Sequence, residues 1–233
     1  MIYNKTELLK WLSQAPLCDG KEFHEGKNYD FIHSFGKEFE KEYSYSYGAT
    51  KLVLIPFAEE KNYVIKIPYT GTYYSYNGYF SGSHNQYYHR STEYYEDYNY
   101  ANDGERPWDY CATEVERYII AEDGGFAPYF AKTDLLGFVN DYPIYIQEKC
   151  SIFSKRRKHS DKENRKTADC CPSSYYRINL DWLTDFRLYY GEEEFVRFLN
   201  FIITEGWDDD LRSENIGYLK NAPVLVDYSG FYE

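Results

Sequence analysis

Three oxygen-bearing side chains near the carboxy end are spaced to do chemistry. Asp210 is followed five residues on by Asn215, and Asp227 ends the apolar run Val224-Leu225-Val226. Carboxylate and amide oxygens are the ligands that hard divalent cations take. Asp and Asn five apart recur by chance in many loops, so the weight lies on the full order: an acidic turn, Asp, Asn, a short apolar strand, a turn, a second apolar strand and a final Asp. Asp208 and Asp209 extend the acidic turn before Asp210. Three adjacent carboxylates repel one another; they either strengthen divalent-cation binding or form a solvated turn.

The elements that must carry these residues follow from periodicity. Asn4 and Glu7 have the spacing of a capping box, and Leu8, Trp11 and Leu12 then share one helical face over residues 4–14. Tyr43, Tyr45 and Tyr47 alternate with serines, a strand pattern. Lys51–Pro56 and Tyr63–Pro68 read as two further strands with short turns between, an antiparallel meander. A helix is predicted from Asp109 to about Asp123, ended by Gly124-Gly125, then strands over Phe130–Gly137 and Asp141–Glu148. Leu180–Tyr190 and Glu192–Glu205 read as two helices, the second with an apolar face broad enough for a buried one, and two short strands follow.

Two biased segments interrupt this order. Residues 69–100 hold eleven tyrosines and a single Lys or Arg, Arg90. The segment is too polar for a core and too aromatic for ordinary disorder. Residues 154–168 carry the run Lys155-Arg-Arg-Lys158 and then Lys162, Arg165 and Lys166, which reads as a solvated linker, with a phosphate or nucleic-acid patch as the minor reading.

Bulk composition narrows the classes. The 233 residues allow one large domain or two lobes. The 29 tyrosines supply much of the apolar content, and the mean hydropathy of −0.72 reflects it. A net charge of −12 opposes general binding to nucleic-acid phosphates, favours solubility and allows a basic protein partner. The five cysteines show no CxxC pair, and their odd number suits a reducing compartment. No signal-like run or membrane-length apolar stretch is present, so the expected location is cytoplasmic, with no membrane partner.

In its order of elements the chain resembles the protein-kinase-like superfamily over roughly residues 43–230, leaving out the Tyr-rich insertion and the basic run. The resemblance implies an α+β, protein-kinase-like two-lobe fold: a five-stranded antiparallel amino-lobe sheet with one helix and a reduced, mainly helical carboxy lobe. The implied boundaries are a helical extension over 1–42, an amino lobe over 43–150 with the insertion at 69–108, a basic linker over 151–171 and the reduced carboxy lobe over 172–233. Lys66, in Val64-Ile65-Lys66, stands where the family carries the lysine that reaches the α- and β-phosphates of ATP. Glu114 resembles the helix glutamate that pairs with this lysine, with Glu116, two positions on and on another face, as its competitor. Gln147 and Glu148 resemble the hinge beside the purine, and Gly48 is what remains of the glycine-rich phosphate loop. Asp210 resembles the catalytic carboxylate that takes the proton of an attacking hydroxyl, and Asn215 and Asp227 resemble the Mg2+ ligands.

The departures bear on function. Tyr47-Gly48-Ala49-Thr50 is a poor glycine loop, so phosphate cover by backbone amides is weaker. The sequence ends at Glu233 without the activation segment or peptide platform that the family has, as in a truncated, minimal member. The expectation is a kinase-like protein that binds ATP and Mg2+, in the form of a minimal phosphotransferase. Two alternatives stand beside it: a catalytically inactive pseudokinase, and an acidic Tyr-rich inhibitor or mimic that binds a protein. The lean, tyrosine-rich style suits a phage or bacterial genome.

Overall fold

The computed structural model describes residues 3–14, 41–47, 51–68, 80–81, 86–87, 110–139, 142–153, 159–171, 179–208 and 213–229. Gly48, Asp210, the Lys155–Lys158 run and nearly all of the Tyr-rich insertion lie outside them. Within the described residues the chain is α+β, with a five-stranded antiparallel sheet and five α-helices. Two compact units divide it: residues 1–116 with 132–149, and residues 117–131 with 150–233.

In the first unit the sheet takes β1 (Tyr43–Tyr47), β2 (Lys51–Pro56), β3 (Tyr63–Pro68), β7 (Tyr142–Glu148) and β6 (Thr133–Val139) in that order across its width. Two short strands, β4 (Phe80–Ser81) and β5 (Gln86–Tyr87), pair with each other inside the Tyr-rich insertion. Side chains alternate between the faces of a strand. Leu52 and Leu54 of β2, Tyr63, Ile65 and Ile67 of β3 and Ile144 and Ile146 of β7 therefore form one apolar face. Helix α1 (Lys5–Leu12) packs into that core through Leu8 and Leu12. Its amino end is capped by the Asn4 side chain, which accepts from the Glu7 amide at 3.3 Å, and Trp11 stacks on Tyr43 with ring centroids 4.8 Å apart. Every residue of β3 is buried, so the opposite face, which carries Val64 and Lys66, is covered as well.

Helix α2 (Tyr110–Asp123) contributes its stretch to Glu116 to the first unit and its stretch from Arg117 to the second. The second unit continues through a short 3-10 turn (Ala127–Tyr129), β8 (Ser151–Ile152), α3 (Asp161–Cys170), α4 (Leu180–Tyr190), α5 (Glu192–Thr204), β9 (Ile216–Leu219) and β10 (Ala222–Leu225). Gly191 joins α4 to α5 at φ 96°, a conformation that side chains with a Cβ rarely adopt. The core is mostly aromatic. Phe186 stacks on Phe198 at 4.4 Å, Phe126 stacks on Phe201 at 4.0 Å, and Tyr129 meets Phe186 and Phe198 edge-on at 5.1 and 5.6 Å. Offset and edge-to-face contacts of this kind add to plain area burial. Trp182 is fully buried and donates its indole N–H to the Gly217 carbonyl at 3.2 Å.

Residues 151–171, expected as a basic linker, instead supply β8 and α3 to the second unit. The Ser160 hydroxyl caps α3 by accepting from the Glu163 amide at 3.3 Å. The helix then docks on α4 through polar groups. Arg187 donates to Thr167 Oγ1 at 3.0 Å and to Glu163 Oε2 at 2.7 Å, Thr184 donates to Thr167 Oγ1 at 2.9 Å, and Asn164 donates to Asp181 at 3.0 Å. The hydrogen bond from Arg187 holds the Glu163 carboxyl below its usual range. The basic residues Lys162, Arg165 and Lys166 are exposed on this helix, as a solvated face has them, and the docking face is made by Glu163, Asn164 and Thr167, which a charge count does not single out.

Strand β8 pairs with β9, and β9 with β10, in a three-stranded antiparallel sheet. Gly217 sits where a Cβ would lie 2.5 Å from the Ser151 carbonyl oxygen and 3.0 Å from Val226 Cγ2. A backbone oxygen held in a sheet cannot step aside as a flexible side chain can. Gly217→Ala is therefore expected to destabilise the protein by about 1–3 kcal/mol through overpacking, read as a lower urea midpoint at unchanged slope.

Candidate functional site

Strand register builds the polar cluster of the first unit. In the β2–β3 pair, Lys51 lies opposite Pro68, and Val53 opposite Lys66. Pro68 and Lys66 are two residues apart and share a face, so Lys51 and Lys66 project from the same side of the sheet. Glu114 of α2 meets both. Its Oε1 accepts from Lys51 Nζ at 2.5 Å, and its Oε2 accepts from Lys66 Nζ at 2.5 Å. Thr133 donates its hydroxyl to Glu114 Oε2 at 3.2 Å. Gln147, the cross-strand partner of Thr133, donates its amide to the Thr133 hydroxyl at 2.8 Å and to Glu114 Oε2 at 3.4 Å. Glu114 is 0% exposed, Lys66 3% and Lys51 5%. Taking an ion out of water costs several kcal/mol even after relaxation, which close pairing and further hydrogen bonds must offset. Glu114 receives both here.

Of the two carboxylates considered on α2, Glu114 is the one at the lysines. Lys51 and Thr133 were not foreseen. The signal for Lys51 was present in the meander, because once β2 and β3 are paired its face follows by counting. Gln147 is 1% exposed, with its side chain turned to Thr133 and Glu114. Glu148 Oε2 accepts from the Lys132 amide at 3.1 Å, and the Glu148 amide donates to the Lys132 carbonyl at 3.0 Å. The segment expected as a hinge is thus anchored to the chain just before β6.

In the second unit the β9–β10 hairpin brings Asn215 and Asp227 together. Lys220 and Asn221 both take positive φ, 51° and 75°, in a two-residue turn, the arrangement that matches strand twist in tight hairpins. Ile216 pairs with Leu225 at the open end, so the residues just beyond are neighbours. The Asn215 carbonyl accepts from the amides of Val226 at 2.8 Å and Asp227 at 3.2 Å. Ser229 donates its hydroxyl to Asp227 Oδ1 at 2.9 Å, which steadies that carboxylate. Asn215 and Asp227 each carry a side-chain oxygen of the kind that hard divalent cations take. Among the described residues no group of three or more His, Cys, Asp or Glu side chains is placed to hold a metal ion.

A separate polar cleft of about 360 Å³ lies in the second unit. Asp185 accepts from Tyr218 at 2.5 Å and sits 3.0 Å from His159 Nε2, and Leu188, Tyr189 and Pro223 form its apolar wall.

No family model, curated protein or solved structure matches this chain. Among the described residues no helix is long and apolar enough to cross a membrane.

Proposed function

We propose that this chain is a kinase-like nucleotide-binding protein that takes ATP with Mg2+ and acts as a minimal phosphotransferase. The observation that carries this reading is the buried ion pair between a mid-sheet lysine and a helix carboxylate, Lys66 Nζ to Glu114 Oε2 at 2.5 Å. A lysine side chain has about 2 kcal/mol of rotamer freedom. Glu114 restrains it, so the ammonium is already oriented when a phosphate arrives. The hairpin that sets Asn215 beside Asp227 supports the second half of the reading. In that reading the two residues hold Mg2+, which neutralises phosphate charge, and Asp210 accepts the proton of the attacking hydroxyl.

Mg-ATP at a hundredfold excess over its Kd is expected to stabilise the protein by about 2.7 kcal/mol, a rise of roughly 5–10 °C in melting temperature. Asp227→Ala is expected to abolish most of that rise. An undiminished shift in the variant overturns the metal assignment, and no shift in the wild type overturns the nucleotide reading. Transfer of radiolabel from γ-labelled ATP then separates a phosphotransferase from a protein that only binds. The weak glycine loop favours the binding-only outcome should no transfer be seen.

A further inference from the structure

We infer that Lys51 is a second phosphate-binding cation, and that the Lys51–Glu114–Lys66 cluster is a clamp for a polyphosphate chain. The inference rests on the nucleotide reading above and deepens it: recognition is led by two lysines that read the phosphates.

Three observations carry it. The first is geometry. Lys51 and Lys66 occupy adjacent strands on one face, and each ammonium lies 2.5 Å from its own oxygen of the same carboxylate. The two oxygens share one carbon, so two like charges are held side by side. Like charges at such spacing repel, and the ligand that gains most from them has anionic groups in a row, as a polyphosphate does. The second is position. Lys51 directly follows Tyr47-Gly48-Ala49-Thr50, the stretch with the place of a phosphate loop and a single glycine. A lysine here places a full positive charge at the end of that stretch. The third is energetic. Both lysines are nearly fully buried, and well-packed apolar residues commonly serve stability as well as or better than a buried ion cluster. Cations kept in such a place suit a binding task.

The test measures binding of Mg-ATP, inorganic tripolyphosphate and adenosine by calorimetry to the full chain, its Lys51→Met and Lys66→Met variants, and the double variant. Each single variant is expected to weaken both ATP and tripolyphosphate by about ten- to hundredfold, the loss of one charge-assisted contact. The double variant is expected to bind neither, and adenosine binding is expected to be the same throughout. Wild-type tripolyphosphate affinity in Lys51→Met, beside a loss in Lys66→Met, overturns the role of Lys51 and leaves the nucleotide reading standing. Failure of the wild type to bind either phosphate compound overturns both. Should Lys51→Met fail to fold, side-chain Nζ resonances of the wild type decide, assigned with Lys51→Arg. Tripolyphosphate is expected to shift Lys51 together with Lys66, and an unmoved Lys51 overturns the proposal.

Discussion

Glu114→Ala is expected to cost about 3–5 kcal/mol, because it leaves two buried ammonium groups without the carboxylate they share. In a protein of this size that loss lowers the melting temperature by roughly 10 °C. Removing one partner of a buried pair is worse than removing both, since the survivor keeps its desolvation penalty and loses its compensation. Here two survivors remain, Lys51 and Lys66, and they also repel each other. Thr133 and Gln147 lose their common acceptor in the same step. Glu114→Gln keeps the shape and one oxygen, so its loss is expected to be smaller. Glu122, exposed on the same helix, provides the control: Glu122→Ala is expected to stay within about 0.5 kcal/mol of the wild type. Urea denaturation of the three variants checks the order. Equal losses from Glu114→Ala and Glu122→Ala would show that the cluster adds nothing to folding.

Trp182→Ala is expected to destabilise by about 3–5 kcal/mol, the range for deleting a large buried ring. Trp182 is 0% exposed, tilts against Phe186 with centroids 5.6 Å apart, and reaches Gly217 through its indole N–H. Its removal opens a cavity beside Phe186, whose ring is also stacked on Phe198 and would have to leave that contact to fill the space. Trp182→Phe keeps much of the volume but drops the donor to Gly217, so its loss is expected to fall between wild type and alanine. Urea denaturation followed by far-ultraviolet circular dichroism reads both. A loss under about 1 kcal/mol for alanine would mean that the neighbouring rings close the gap.

The parts of the fold legible in the sequence were those with local periodicity. The apolar run Tyr63–Pro68, set off by the polar turn before it, gave β3 its bounds, and the apolar spacing of Leu180–Tyr190 gave α4 the bounds it has. Lys66 and Glu114 were expected as a pair only through the resemblance to the kinase-like superfamily, since neither residue alone points to the other, and the structure brings them within hydrogen-bond distance. Lys51 was harder to see. Its role depends on the β2–β3 register, a non-local fact, and a one-residue slip would turn it to the other face. Helix α3 was masked by composition. Its Ser160 and Glu163 have capping-box spacing, but the surrounding lysines and arginines outweighed that signal. Its partners on α4, Thr184 and Arg187, lie beyond any local window. Thr133 and Gln147 meet for the same kind of reason, across a strand pair.

The ring-filled core of the second unit also makes the protein its own optical probe. Phe186 on Phe198, Tyr129 edge-on to both, and Phe130 nearly perpendicular to Trp207 hold their transition dipoles at fixed angles. Such an array gives a near-ultraviolet circular dichroism signal only while the rings keep their native orientations. A state that loosens this packing but keeps its helices loses that band and retains the far-ultraviolet one. The two bands together therefore tell a relaxed core from an unfolded chain without any added label.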